Sequence, residues 1–471
     1  MHCQLTSLNT KLFCSCPSSY RGKPPNSNTC PVCLGLPGAL PVLNKDAVIA
    51  ATKVALALGS KISPRTLFYR KQYFYPDLSK GFQISQYDKA GGIPFAVGGQ
   101  VTLRLDGEKT VKLRRIQLEE DPARLVHVDD DGKEVSLVDY NRSGTALVEI
   151  VTEPDISSPK EARFFLQKVQ SILEHLEVTD SSLEGSMRCD ANVSLGGGPR
   201  VEVKNISSFK DVERALNFEL LRLSVTSDRS RRVTRRWDEA KKVTEEMRVK
   251  EEEQDYRYFP EADLPYVACT EDLIEAARKT MPELPDARRL RLQKQYGLRS
   301  YDAAVLVMDK GLADFFEEAA IHYKDHVNLG HWITTEVLRR LNYYEIPAQE
   351  CKLRPSALAE LLAMVDRGEI TAKLAKLMLW DLVKSGGSPS ALAKRARLKR
   401  IGDRDRLSII VKKVLESDPK LLEDALRNDR AINFVTGKVL EETEGMGDPK
   451  IVYEIVTEQL EAWRRELKEA A

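Results

Sequence analysis

Apolar and polar positions alternate from Val101 to Arg114 around an Asp106-Gly107 pair. A period of two broken by an Asp-Gly turn predicts an antiparallel hairpin. The same alternation in Ser186–Leu195 and Arg200–Ile206 predicts further half-buried strands. Between these segments the period lengthens. Ser158-Pro159, with Glu161 three residues after the serine, is a capping-box start carrying proline in the first turn. Phe164, Phe165, Val169, Ile172, Leu173 and Leu176 follow at helical spacing, and two more helices are predicted over Asp46–Leu58 and Asp211–Leu223.

Beyond Pro282 and Pro285 the pattern is almost wholly helical, with clear examples at Ala357–Val365, Leu374–Val383 and Asp405–Leu415. Ser385-Gly-Gly-Ser-Pro-Ser and the basic run Lys394–Arg400 mark a second boundary. The expected fold is α+β: a mixed body built on an antiparallel sheet over residues 1–285, a helical domain over 286–398 and a small helical tail over 399–471. A chain of 471 residues exceeds what one core usually organises, so several domains are expected. With 42% hydrophobic residues, 30% charged residues and a net charge of +1, the composition is that of an ordinary globular protein and leaves nucleic-acid binding open. No apolar run approaches the roughly 20 residues that span a bilayer.

Four cysteines add chemistry to this picture: Cys14-Ser-Cys16 and, thirteen residues on, Cys30-Pro-Val-Cys33. Two tight pairs across a loop of Pro, Gly and Asn fit a closed tetrahedral thiolate site for a structural zinc. Two disulfides, or thiols filling a small core, are the alternatives. The opening residues carry no secretory pattern and Cys3, Cys189, Cys269 and Cys351 stand singly, so reduced thiols and a cytoplasmic setting are expected.

The densest polar signal runs from Gln117-Leu-Glu119-Glu120-Asp121 to Asp155. Glu149 sits between Val148 and Ile150, a costly place for an acid unless it is paired, binds a cation or faces solvent on an alternating strand. Glu120, Glu149 and His2 are candidate ligands for a hard cation such as Mg²⁺. Tyr73-Phe-Tyr-Pro-Asp-Leu-Ser-Lys80-Gly-Phe-Gln-Ile-Ser-Gln-Tyr87 has the mixture of a binding site, or of a tyrosine-rich loop packed on the body. The basic runs Arg229–Arg236 with Lys241-Lys242, and Lys394–Arg400, suit a phosphate backbone or a solvated face.

Several of these strings together resemble the B subunits of tRNA-dependent amidotransferases. They are Tyr73 to Gln86, Asn141-Arg-Ser-Gly-Thr-Ala-Leu-Val-Glu-Ile-Val-Thr-Glu-Pro-Asp, Gly185-Ser-Met-Arg-Cys-Asp-Ala-Asn-Val-Ser, Val201-Glu-Val-Lys-Asn-Ile-Ser-Ser-Phe, and Thr234-Arg-Arg-Trp-Asp through Asp255-Tyr-Arg-Tyr-Phe-Pro-Glu. The resemblance covers essentially the whole chain and implies a cradle-shaped catalytic domain with a zinc knuckle. It implies a ligase working in a heterotrimer with a glutaminase A subunit and a C subunit. ATP would phosphorylate the side-chain carboxylate of Asp-tRNA(Asn) or Glu-tRNA(Gln), and ammonia channelled from the A subunit would displace the phosphate.

By the same resemblance Mg²⁺ is held by a Glu-x-His pair and two further glutamates, which places His2, Glu120 and Glu149 at the metal. The first glutamate of the pair would precede Met1, so either the metal site is one carboxylate short or residues upstream are missing. Lys80, Arg188, Asp190, Asn192 and Lys204 are the expected ATP and substrate contacts. Lys394, Arg395, Arg397, Lys399 and Arg400 are the expected tRNA contacts, and the tail matches its relatives at Asn433-Phe-Val-Thr-Gly-Lys-Val-Leu before turning acidic. The related E subunit carries a large inserted domain for which this chain has no room. A zinc-bearing RNA-binding adaptor is the non-enzymatic rival.

Overall fold

A computed structural model describes residues 1–89, 91–105, 107–206, 208–225, 232–249, 256–396, 398–428 and 430–469. The chain divides into two compact units, Met1–Ala287 and Arg288–Ala471.

The first unit is organised by a ten-stranded sheet. One of its short segments matters most. His2–Gln4 lies in the interior, antiparallel to Ala146–Thr152 on one side and to Met187–Val193 on the other. Ala146–Thr152 pairs in turn with the long strand Glu108–Glu120. The predicted hairpin forms between Gln100–Arg104 and Glu108–Glu120, with Val101 opposite Val111. Its turn residue Asp106 lies outside the described residues. Met187–Val193 pairs antiparallel with Val201–Ile206, which pairs parallel with Val233–Asp238. A parallel neighbour needs a long crossover, and the helix Phe209–Val225 lies within it.

The predicted helices appear at Lys45–Ala57, Pro159–His175 and Phe209–Val225. Ser158 accepts the Glu161 N–H as the helix cap, while Glu161 reaches back to the Ser157 N–H at 2.8 Å. One face of the sheet and these helices bury a common core that includes Cys3, Ile116, Leu118, Val148, Val169, Leu173, Val203 and Val212.

The second unit is helical. The three patterned segments lie in Pro355–Asp366, Ala372–Ser385 and Arg404–Ser417. Its apolar residues form two clusters, one around Leu358 and Leu379, the other around Val411, Val435 and Val456. Among the described residues no helix is long and apolar enough to cross a membrane.

Candidate active site and metal centre

Strand alternation decides which acids meet. Cys3, Leu118 and Val148 share the buried face, so His2, Glu149, Gln117 and Glu119 project from the opposite one. His2 Nε2 lies 3.4 Å from Glu119 Oε1 and 3.6 Å from Glu149 Oε1. Glu119 also accepts from Ser85 Oγ at 2.9 Å, and Arg115 Nη2 stands 3.6 Å from Glu149 Oε2.

The electrostatics fit a cation. Burial, then repulsion from Glu149, raises the Glu119 carboxyl to about 7. Burial lowers His2 to about 3, so its ring stays neutral with a lone pair to offer. Two acids and a neutral imidazole on one face are a donor set for a hard divalent ion, which would relieve the repulsion between the carboxylates.

Glu120 corrects the expectation drawn from resemblance. One residue along the strand, it projects to the other side, away from His2. There Lys80 Nζ sits 2.6 Å from its Oε1, and the Ile84 N–H donates to the same oxygen at 2.8 Å. Lys80, expected among the substrate contacts, is therefore engaged by Glu120 on that side. Glu119 was not among the ligands expected from sequence, because its adjacent carboxylate Glu120 is told apart from it only by strand register.

The other expected contacts mostly join the His2 face. Arg188 is the register partner of His2, and its Nη2 reaches the buried Asp121 Oδ1 at 2.6 Å. Asp190 follows on the same side and lies near enough to His2 to favour its charged form. Lys204 Nζ is 4.0 Å from both Asp190 and Glu202. Asn192, opposite Glu202, lies exposed at the outer end of this row. Lys71, not singled out from sequence, and Tyr73, which opens the aromatic-rich string, also border the acids. Lys71 favours the charged form of Glu119, and burial followed by the charge of Asp77 pushes the Tyr73 phenol up.

A second cluster lies against Glu120. Cys14, Cys16, Cys30 and Cys33 bring their Sγ atoms within 4.8 Å of one another, and all four are free thiols. The disulfide alternative gives way to a closed set of four soft donors that could hold a metal ion. The thiol of Cys33 is lowered to about 4, chiefly because Cys14 donates its proton to it and then by the Cys30 N–H at 3.1 Å. The Asn141-Arg-Ser-Gly turn clamps this loop: Asn141 Oδ1 accepts the Asn28 N–H at 2.7 Å, and Ser143 and Ser79 donate to the Cys33 carbonyl at 3.2 and 2.8 Å. Between quartet and sheet lies a cleft of about 180 Å³ lined by Cys14, Cys33, Arg70, Lys80, Glu120 and Glu261 among others.

The basic runs differ. Arg235 is paired with the buried Glu219 at 3.0 Å, while Arg236 and Lys241 each lie 2.7 Å from Glu245. Arg235, Arg236 and Lys241 are thus answered by a neighbouring helix and strand, and Arg229 and Arg231 lie outside the described residues. In the other run Lys394, Arg395 and Lys399 are exposed, Arg400 pairs with Asp448, and Arg397 lies outside the described residues.

Residues 1–275 match the GatB/GatE catalytic domain and residues 314–460 match the GatB domain. The chain is 50% identical to the B subunit of the aspartyl/glutamyl-tRNA(Asn/Gln) amidotransferase of Sulfurisphaera tokodaii, over 97% of each chain. It is 50% identical to the protein of the same description from Sulfolobus acidocaldarius and 45% identical to the one from Thermotoga maritima, over 98% of each chain in both cases.

Proposed function

This chain belongs to the GatB/GatE family, and from that premise we propose how its side chains divide the work of tRNA-dependent amidation. The reaction joins nitrogen to the side-chain carboxylate of Asp-tRNA(Asn) or Glu-tRNA(Gln). A carboxylate is a poor acyl donor, so ATP first phosphorylates it, releasing ADP. Ammonia then attacks the acyl carbon and phosphate leaves with the C–O electron pair.

The observation that carries the assignment is the convergence of His2, Glu119 and Glu149 beside Arg188, Asp190 and Lys204 on one face. We assign His2, Glu119 and Glu149 as ligands of Mg²⁺, which when bound would offset the charge of the transferring phosphoryl group. Arg188, oriented by Asp121, and the loosely paired Lys204 present positive charge to phosphate oxygens. Asp190 and Asn192 position them or contact the ribose. Lys80 acts from behind, holding Glu120 and hence the end of the strand that delivers Glu119.

The cysteine quartet suits structural zinc, because four thiolates leave no position open for substrate. The partners are a glutaminase A subunit and a C subunit in a cytoplasmic heterotrimer, with residues 399–471 as a tail domain that contacts tRNA. With both partners, glutamine, ATP and Mg²⁺, the chain should convert Asp-tRNA(Asn) or Glu-tRNA(Gln) to the amide. Loss of both conversions while the A subunit still hydrolyses glutamine would overturn this reading.

The tRNA grip is assigned to Lys394, Arg395 and Lys399, the exposed members of their run. Reversing all three to Glu should weaken tRNA binding and reduce the slope of log K against log salt by roughly one per lost phosphate contact. An unaltered slope would assign the contact elsewhere.

A further inference from the structure

One buried charge has no part in the amidation chemistry. Lys11 is wholly buried, and its Nζ donates to the Asn28 carbonyl at 2.9 Å and to Cys33 Sγ at 3.6 Å. Among the described residues no carboxylate lies within 4.0 Å of that nitrogen, although Glu120 and Lys11 both flank Gly144. A desolvated ammonium is costly without an anion beside it, so the thiolate of the quartet is the partner this site supplies. The side chain is also locked in place: its own N–H bonds the Cys16 carbonyl at 2.9 Å, and the carbonyl it holds belongs to Asn28, two residues before Cys30.

Four thiolates around a divalent ion carry a net charge of −2, held in a loop against which the ammonium of Lys11 lies. We propose that Lys11 is the built-in counter-ion of the cysteine-quartet metal site, bringing the buried charge to −1 and thereby raising the site's affinity for a soft divalent metal. A neutral residue of the same length would fill the space and leave the metal-bound quartet overcharged. Lys11 touches a ligand and not the metal, so it is a positioning and charge-balancing residue.

The proposal rests on the metal reading of the quartet, and the test separates the two. Zinc affinity is measured on the full chain by competition with a chromophoric chelator at one fixed pH, for the native protein, Lys11→Met and Lys11→Arg. Partners in the outer shell of a metal site typically matter by 10- to 100-fold, so Lys11→Met should bind zinc about 10- to 100-fold more weakly and Lys11→Arg should recover much of the loss. Without metal, Lys11→Met should lose less heat stability than with it, because the quartet then carries less charge for Lys11 to balance. Its zinc-induced rise in Tm should be smaller.

Unchanged zinc affinity in Lys11→Met would overturn the proposal. So would equal losses of stability with and without metal, which would mark Lys11 as packing alone. Should Lys11→Met fail to accumulate, Lys11→Gln keeps a donor for the Asn28 carbonyl without the charge, and native affinity in that variant overturns the proposal equally. A native chain that takes up no zinc would instead sink the metal reading itself.

Discussion

Glu119→Gln is expected to lower tRNA-dependent amidation by at least about 100-fold, the effect of losing several kcal/mol of charge stabilisation at a transferring phosphoryl group. The substitution keeps the shape and the acceptor for Ser85 but removes one of the two negative charges facing His2. Glu149→Gln should behave alike, since its oxygen lies 3.6 Å from the same imidazole nitrogen. Glu120→Gln is the discriminating control, for it changes the adjacent residue by the same atom. There the charge answers Lys80 and not His2, so the expected signature is a lowered Tm with turnover reduced less than about tenfold, because an unpaired buried ammonium mainly costs stability. Steady-state ATP cleavage and amide formation, read beside thermal melts of all three variants, check this. A severe kinetic defect in Glu120→Gln with native turnover in Glu119→Gln would reverse the assignment.

Stripping the quartet of its metal, or substituting Cys33→Ser, should be the largest single blow to the first unit's stability. Closing a loop of about 15 residues is worth roughly 3 kcal/mol by chain entropy alone, by analogy with a disulfide of that span. At about 2–4 °C per kcal/mol for domains of 150–250 residues, that corresponds to a fall in Tm of roughly 6–12 °C. The effect should spread inward, because the Cys33 carbonyl holds Ser79 and Ser143, and Lys80 next to Ser79 holds Glu120. Amidation should therefore decline along with the melt, and proteases should cut first within residues 17–29. Restoring zinc should reverse both changes in the native chain and neither in Cys33→Ser. Full thermal stability after verified metal removal would show that the quartet is dispensable to the fold.

Much of this was legible in the residues. The capped helix at Ser158, the strands near residues 187 and 201, and the helical second half all follow local periodicity, which any segment displays without its neighbours. The quartet was legible for a similar reason, since close pairs across a short loop can scarcely avoid converging. The choice between Glu119 and Glu120 was not. Both are carboxylates in one run, and the deciding fact is register against Ala146–Thr152, which is itself paired with the strand carrying His2. Likewise Arg235 and Arg400 read as free charge in sequence and prove to be answered by Glu219 and Asp448.

The family, the α+β division and the residue types that carry the chemistry could all be read from the residues in order, because long motifs and periodicity are properties of the chain alone. That Glu119 and not Glu120 faces His2, that Lys80 pairs with Glu120 on the reverse side, and that Lys11 is buried against the cysteines emerged only from the folded chain. Those facts depend on which face of a strand a side chain leaves from and on what distant segment covers it. A one-residue step reverses the first, and nothing local records the second.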